Sequence, residues 1–281
     1  MYKFSKSAFT LAELLIAMAI FGFIAVTLVP NVTNNAERSL FTTQVKKVQN
    51  DIQQAILLII TKNQGSLSFV CNDPAGNTHA CFRDMIASSL DVFTVFGKNT
   101  TDRPDIIYNY SSSDSGPSVK KDIADPVKQK TAYQKRTPIF LNGSQASFPV
   151  NYKSSYEAAN LKNGAMVSVY FDPACPTDEI VAGVAGATLI TYGTSPVVCG
   201  YLEVDVNATK APNVVGKDIH YFWIVDKDGL VPFGEIDDLT CGVLPEAGKT
   251  GVYTRPEKSN VAKTNLGCTY RLMSRGKIDY Y

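Results

Sequence analysis

The chain has 281 residues, 45% of them hydrophobic and 19% charged, and its formal net charge is +1. This composition is that of a globular protein with one large or two small domains, and the near-zero net charge excludes a global attraction to nucleic acid or to an anionic membrane face. Fourteen tyrosines against one tryptophan suit a β-rich exported domain.

The chain opens with a basic segment and a long apolar run. Residues 1–8 include Lys3 and Lys6 and no acid. Residues 9–29 follow as an apolar run of about 21 residues, and a helix needs roughly 20 to span a bilayer. The run exceeds the apolar core of a secretory signal peptide. Since the basic residues precede it, we predict a single-pass helix in the bacterial inner membrane, with a cytoplasmic N-terminus and the rest of the chain outside.

One acidic residue, Glu13, lies within that apolar run. A plain anchor has no use for it, and charged groups inside membrane spans are usually paired. A cut between Ala8 and Phe9 would create a partner, because Phe9 would then carry a positive α-amine four residues from Glu13. In a filament of staggered helices, the amine of one subunit and the carboxylate of another would satisfy each other in an apolar core.

Residues 8–15, AFTLAELL, resemble the type IV prepilin cleavage and methylation motif, which pilins share with the pseudopilins of type II secretion. Gly usually precedes the cut, where this chain has Ala8, so slower processing is expected; Ala12 stands where Ile or Val is common. The resemblance implies cleavage after Ala8 and N-methylation of Phe9 by a prepilin peptidase, followed by extraction from the inner membrane by an ATP-driven assembly platform. It implies that Glu13 pairs with Phe9 of a neighbouring subunit, and that the chain is not itself an enzyme.

Two helix-loosening residues, Gly22 and Pro30, sit where many pilins have them. Pro30 lacks an N–H and should kink or locally melt the helix, and Gly22 lowers helix propensity further. We predict that an amphipathic helix then runs over residues 31–63 and stops near Gly65. Its apolar stripe should pack against the head, because the run is too short to favour a coiled-coil partner. The stripe residues are Val45, Val48, Ile52, Ala55 and Ile59.

Residues 65–281 contain short apolar runs broken by Gly, Pro, Asn and Asp, which predict β-strands. The sequence DKDG, from Asp226 to Gly229, is a turn signal between two of these runs. We predict an α+β, pilin-like fold in which the long N-terminal helix, residues 9–64, lies against an antiparallel β-sheet head. The predicted strands include residues 165–171, 188–192, 200–206, 221–225 and 269–272.

Six cysteines lie beyond the apolar run, and no two form a C-x-x-C pair. An even number in a chain outside the membrane indicates disulfides in an oxidising compartment. Many connectivities are compatible with six cysteines, and reduced buried thiols are the alternative. The simplest pairing joins sequence neighbours, which are Cys71–Cys81, Cys175–Cys199 and Cys241–Cys268.

The segment DVNATKAPNVVGKD, residues 205–218, offers side-chain oxygens at steps of two, which suit a calcium ion. The EF-hand glycine is missing, and Gly216 stands where that motif has its final glutamate. The segment also resembles a D-x-N-x-x-x-x-P-N-x-x-G-x-D pattern of some pilin-like heads. A loop closed by Asx turns is the alternative, and no other cofactor is predicted. The candidate ligands are Asp205, Asn207, Thr209 and Asp218.

A basic run around Tyr133 has the residue types that contact DNA phosphates. Asp122 and Asp125 dilute it, so a solvated loop is the better interpretation and nucleic acid is not an expected partner. Catalysis has little support, since the two histidines, His79 and His220, belong to no hydrolase, metalloprotease or P-loop motif. The basic run consists of Lys120, Lys121, Lys128, Lys130, Lys135 and Arg136.

We therefore predict a subunit of a type IV pilus-like filament, in the periplasm or on the cell surface after assembly, with homologous pilins as neighbours. More than 200 residues follow the helix, which exceeds a common major pilin and favours a minor or tip-located subunit. A pseudopilin of a type II secretion system is the alternative from the same machinery, and it would use Glu13 in the same way. A membrane-anchored adhesin or DNA receptor that never polymerises is the alternative from another class, and it predicts no cleavage at Ala8.

Overall fold

The computed structural model describes residues 10–68, 70–72, 78–90, 92–96, 140–141, 157–184, 186–190, 195–207, 213–242 and 265–280. The chain forms two compact units, Met1–Leu40 and Phe41–Tyr281. The helices are α1 (Leu11–Lys62), α2 (Thr78–Ser88), α3 (Thr177–Gly183) and α4 (Cys268–Arg275). The strands are β1 (Val92–Phe96), β2 (Glu157–Leu161), β3 (Met166–Phe171), β4 (Val198–Asp205), β5 (Ile219–Val225) and β6 (Gly229–Pro232).

Helix α1 is helical over 52 residues without a break. The backbone stays helical at both Gly22 and Pro30, so the local melting predicted there is not observed. A proline removes one backbone donor, but its fixed φ is itself compatible with a helix. The predicted stop near Gly65 is confirmed, since α1 ends at Lys62 and the N–H of Gly65, at a left-handed φ of 87°, bonds the carbonyl of Ile60.

The six strands form one antiparallel sheet in the order in which they occur along the chain. Each strand pairs with its successor in the chain, as sequential strands commonly do. The turn predicted at Asp226 to Gly229 joins β5 to β6, and Val225 pairs with Gly229 across it. Helices and an antiparallel sheet together confirm the predicted α+β class.

Both faces of the central strands are buried, because successive side chains of a strand point to opposite faces of the sheet. On one face, Leu202 and Phe222 pack in the same core as Ile52 of α1. On the other face, Tyr201 and Trp223, which are register partners, pack with residues of α3. The sheet therefore lies between two apolar layers.

The second half of α1 packs its predicted stripe into the first of these layers. Val45, Val48 and Ile52 are each fully buried, while Lys47 and Asn50 on the opposite side are exposed. The stripe is thus covered by the chain's own sheet, which removes the need for the coiled-coil partner considered above.

The side chain of Gln53 ties α1 to the β5–β6 hairpin. Its Nε2 donates to the carbonyl oxygen of Asp228 at 2.8 Å, and its Oε1 accepts from the N–H of Leu230 at 2.5 Å. A Cβ on Gly229 would lie 2.7 Å from that Oε1, and the φ of Gly229 is +78°. The turn therefore requires glycine for both its conformation and its close approach to the helix.

Two predicted strands are wrong. Residues 269–272 belong to α4, where Thr269 and Leu272 are buried at helical spacing and Gly276 ends the helix with a left-handed φ of 70°. Arg271 and Arg275, one turn apart, both bind Asp279 at 2.9 Å and stabilise this end. Within the described part of residues 188–192, a single bridge between Leu189 and Asp237 replaces the predicted strand.

Candidate functional site

The N-terminal end of α1 carries a reciprocal hydrogen-bonded cap. Oε2 of Glu13 accepts from the N–H of Thr10 at 2.8 Å and from its hydroxyl at 2.9 Å. The N–H of Glu13 donates to Thr10 Oγ1 at 3.3 Å. This is the capping box, in which Ser or Thr before a helix and Glu three residues later satisfy each other's backbone donors. Glu13 therefore has a local role in addition to the one its position in the apolar run suggests.

The cap leaves one carboxylate oxygen of Glu13 available. Its Oε1 accepts no hydrogen bond from the described part of the chain, since all three bonds of the cap use Oε2, the Glu13 N–H and Thr10. Glu13 can thus keep its cap and still accept from a further donor. Ala8 and Phe9, between which cleavage is predicted, lie outside the described residues.

The first part of α1 exposes its large apolar side chains. Leu11 is 76% exposed, Phe21 72% and Phe23 73%. The other large apolar residues up to Ile24 are also exposed, which makes an apolar surface along this part of α1. A surface of this kind marks a site of interaction with a membrane or with another protein.

Among the residues described, none of the helices is both long and apolar enough to cross a membrane. The span predicted over residues 9–29 begins before the described part of the chain, and it stays a prediction.

Gly22 makes no close packing contact within the part of the chain that the structure describes. A Cβ built on Gly22 would meet no atom within 4 Å. A glycine in a helix interior costs stability relative to alanine, so its presence in an exposed helix has no local explanation. The roles of Gly22 and Pro30 in filament assembly stay predictions.

The cysteines form three disulfides, each between sequence neighbours: Cys71–Cys81, Cys175–Cys199 and Cys241–Cys268. Asp226 lies near the second of these bonds, and its Oδ1 accepts from Ser66 Oγ and from the N–H groups of Leu67 and Ser68. Because disulfide sulfurs are not thiolates, this group does not form a zinc site. Asp226 instead anchors the loop that leaves α1 onto the β5–β6 turn.

The calcium candidates lie around the loop between β4 and β5. Both oxygens of Asp218 accept backbone N–H groups, from Asn213 at 2.8 Å and from Val214 at 2.6 Å. The carboxylate of Asp205 accepts from the N–H of Asn207 at 3.1 Å. Thr209 lies outside the described residues. These bonds close the loop in the way that the Asx-turn alternative expects.

The carboxyl of Asp218 is deeply buried. Burial raises its pKa to about 6, although the hydrogen bonds from Val214 and Asn213 oppose that rise. Calcium binding at this loop stays a prediction, and a calcium titration of the thermal unfolding midpoint would test it, with Asp218→Asn as the comparison.

Both histidines are held by contacts within the fold. His220 is fully buried in β5, and burial lowers its pKa to about 4. Its Nε2 lies 3.3 Å from the carbonyl oxygen of Lys217, and its Nδ1 lies 3.5 Å from Thr269 Oγ1. His79 is the second residue of α2, and its Nδ1 accepts from the N–H of Phe171 at 3.1 Å.

Comparison with known proteins identifies one family model. Residues 3–29 match the prokaryotic N-terminal methylation motif. The match includes Ala8, Phe9, Glu13 and Gly22. No curated protein and no solved structure shows a significant match to the chain. The basic run at residues 120–136 lies outside the described residues, so its solvated-loop interpretation stays a prediction.

The motif has direct implications for how the chain works. It implies assembly with other pilin subunits, processing by a prepilin peptidase and membrane-anchored assembly of a filament. It points to a structural subunit and not to an enzyme. The chain thus carries the N-terminal methylation motif that is the hallmark of type IV pilins and pseudopilins.

Proposed function

We propose that this chain is a minor or tip-located subunit of a type IV pilus-like filament, anchored in the bacterial inner membrane by residues 9–29 before assembly. One observation carries the proposal, which is that an exposed apolar helix begins with a capped glutamate. Leu11 to Ile24 offer apolar surface to neighbouring helices, and Glu13 places a carboxylate at the end of that surface.

The proposed mechanism is charge pairing between subunits. A prepilin peptidase cleaves between Ala8 and Phe9 and methylates the new amine. The Phe9 amine of one subunit then pairs with Glu13 of another as an assembly platform moves the subunit into the filament. Oε1 of Glu13 accepts this amine without loss of the Thr10 cap. In an apolar filament core, either charge alone would be strongly unfavourable, so the pair selects a single axial register.

A pseudopilin of a type II secretion system is the second candidate, because the matched motif is shared by both classes. The two differ in what surrounds the subunit. Genes for a retraction ATPase beside this one would favour a pilus, and genes for a complete secretion system would favour a pseudopilus.

Two substitutions separate the charge of Glu13 from its capping role. Glu13→Gln retains an oxygen that can accept from Thr10, but it removes the negative charge. Thr10→Ala removes the two bonds that the Thr10 hydroxyl makes in the cap and retains the charge. We expect Glu13→Gln to insert into the membrane normally and to appear in sheared filaments at least about tenfold less, since an unpaired buried charge is strongly destabilising. Thr10→Ala should be incorporated nearly as well as wild type.

The reverse pattern would contradict the mechanism. Normal incorporation of Glu13→Gln would show that the negative charge is not needed. Equal loss in both variants would show that helix capping, and not charge pairing, limits assembly. A chain that keeps an intact leader and never enters a filament would favour the non-polymerising adhesin or DNA receptor.

A further inference from the structure

A cleft of about 350 Å³ lies in the head, between the start of α2 and the end of β3. Its wall is formed by His79 and Tyr170, whose ring centroids are 4.8 Å apart. Asp172 and Asn72 contribute polar groups to its lining. The volume is at the lower end of the range for small-molecule sites, roughly 300–1,000 Å³.

The cleft lies at the end of β3, beyond the described part of its ladder with β2. That ladder begins where Glu157 pairs with Val169, and none of the described residues of β2 pairs with Phe171. The N–H of Phe171 donates to His79 Nδ1 at 3.1 Å, and its carbonyl accepts from the hydroxyl of Thr78 at 3.4 Å. The start of α2 thus bonds the end of β3 and borders the recess.

The aromatic wall is rigid. Tyr170 stacks on Tyr201, its register partner on β4, with centroids 5.0 Å apart and an interplanar angle of 10°. His79 is held by its bond to Phe171 and packs against Tyr170. Since Nδ1 of His79 accepts this bond, the neutral ring carries its proton on Nε2. A wall built in this way keeps its shape when a ligand binds.

The backbone on either side of the cleft is held in an uncommon conformation. Cys71 and Cys175 have left-handed φ angles of 59° and 49°, although neither is glycine. Each belongs to a disulfide, Cys71–Cys81 or Cys175–Cys199. Cys71 precedes Asn72, and Cys175 follows the segment from Asp172 to Ala174 that lines the cleft. Non-glycine residues in this region persist where the surrounding structure holds them, and they are common at ligand sites.

The polar groups of the cleft have unused hydrogen-bonding capacity. Oδ1 of Asp172 accepts from the N–H of Ala174 at 2.9 Å, while Oδ2 makes no hydrogen bond with the described part of the chain. The exposed side chain of Asn72 offers both a donor and an acceptor. A ligand that matches them must supply donors for the carboxylate and both donors and acceptors for the amide, as hydroxyl groups do.

The described lining of the cleft is unfavourable to an anion. Burial raises the pKa of the Tyr170 hydroxyl, and the nearby carboxylates of Asp172 and Glu179 raise it further. No lysine or arginine lines the cleft among the residues that the structure describes. Within this described lining, a negatively charged ligand would meet the carboxylate of Asp172 and no positive side chain.

We propose that this cleft binds an uncharged saccharide unit, with its hydroxyl groups bonded to Asp172 and Asn72 and its C–H surface against the wall of His79 and Tyr170. This inference goes beyond the proposed filament function and does not depend on it, because the cleft lies wholly within the unit Phe41–Tyr281.

The test uses the full chain in a detergent without a sugar headgroup, so that the detergent does not compete. Saturation-transfer NMR is recorded with methyl β-galactoside, methyl α-mannoside and methyl N-acetyl-β-glucosaminide. Sialyllactose serves as the anionic comparison and choline as the cationic one. We expect at least one of the uncharged glycosides to bind, and sialyllactose and choline not to bind.

Four variants locate the binding. Asn72→Ala removes an exposed amide, and Asp172→Asn keeps Oδ1 while replacing the acceptor Oδ2 with a donor. Each should weaken binding roughly three- to tenfold, as the loss of one hydrogen bond does. Asn50→Ala and Asp228→Asn change the same residue types at exposed positions outside the cleft, and neither should affect binding.

Three results would overturn the proposal. The first is that no glycoside of the panel binds. The second is that a glycoside binds equally well to Asn72→Ala and Asp172→Asn. The third is that sialyllactose or choline binds better than the uncharged glycosides, which would mean that the cleft selects a charged ligand.

Discussion

Thr10 and Glu13 hold each other through three hydrogen bonds at the start of α1, and the longest of these is 3.3 Å. Exposed apolar residues flank the capped carboxylate, with Leu11 before it and Leu14 after it. The same side chain therefore orders the first turn of the helix and presents a negative charge near the start of an apolar surface. The cap uses Oε2 of Glu13 and leaves its Oε1 available to a further donor.

The first prediction concerns the cap itself. Thr10→Ala should loosen the first turn of α1, because an N-cap hydroxyl is worth about 1 kcal/mol. Amide hydrogen exchange at Glu13, whose N–H donates to the Thr10 hydroxyl, should then be roughly fivefold faster in detergent micelles. Thr10→Ser keeps the hydroxyl and should exchange like wild type. Unchanged exchange in Thr10→Ala would mean that the cap does not order this turn.

The second prediction tests the stripe of α1. Ile52 is fully buried, whereas Leu58 is 45% exposed on the same helix. Ile52→Ala should lower the free energy of unfolding by about 2–5 kcal/mol, as core truncations do. Leu58→Ala should lower it by less than about 1 kcal/mol. Urea unfolding of the monomer with its disulfides intact provides the measurement, and similar losses in both variants would contradict the packing described.

The third prediction concerns Asp226. Its Oδ1 is the acceptor for Ser66 Oγ and for the N–H groups of Leu67 and Ser68, all within 3.1 Å. Asp226→Ala would leave buried donors without a partner, at a cost of about 2–3 kcal/mol in unfolding free energy. Asp228→Ala is the control, because Gln53 binds the backbone carbonyl of Asp228 and not its side chain. An equal effect of the two substitutions would show that the carboxylate does not anchor this loop.

The fourth prediction is a pH dependence that comes from His220. Burial lowers the pKa of His220 to about 4 in the folded chain, against about 6.5 for an unfolded one. The folded state therefore binds fewer protons in this window, so His220 contributes stability that is present above pH 6.5 and is lost as the pH falls toward 4. Relative to His220→Gln, wild type should lose about 2–3 kcal/mol of unfolding free energy between pH 7 and pH 4.

The comparison with His220→Gln isolates this contribution. Burial raises the pKa of Asp218 to about 6, so that Asp218 favours folding at low pH and acts in the opposite direction. Asp218 is present in both chains, and its effect cancels in the difference between them. A difference that does not change with pH would mean that His220 is not buried in its neutral form.

The sequence predicted those elements whose hydrophobic pattern repeats often enough to show its period. The stripe through Val48 and Ile52 covers several helical turns, and one side of it faces a core, so its burial followed from its period. The turn at Asp226 to Gly229 was readable because a left-handed glycine is needed there. The pairing of cysteines between sequence neighbours was one of many possibilities, and the fold alone brings these sulfurs together.

Residues 269–272 have apolar positions that fit a strand, although they belong to helix α4. Four residues are too few to distinguish the two-residue period of a strand from the 3.6-residue period of a helix. The features that make it a helix lie after the segment, in Gly276 and in the bonds from Arg271 and Arg275 to Asp279. Gly276 and the Arg275–Asp279 pair are local signals of a helix end, but they lie outside the four residues that predicted the strand.

The sites show the same division. The T-x-x-E spacing of Thr10 and Glu13 is a capping-box signal that is visible in the sequence. The cleft has no such signal, because His79 and Tyr170 are far apart in the sequence and meet only through the fold.

Mass spectrometry of the mature N-terminus tests directly whether the chain is processed as a pilin-type subunit. We predict a chain that begins at N-methylated Phe9, with residues 1–8 removed. Loss of the prepilin peptidase should restore the unprocessed form. A mature protein that still begins at Met1 in cells with an active peptidase would show that the chain is not processed in this way.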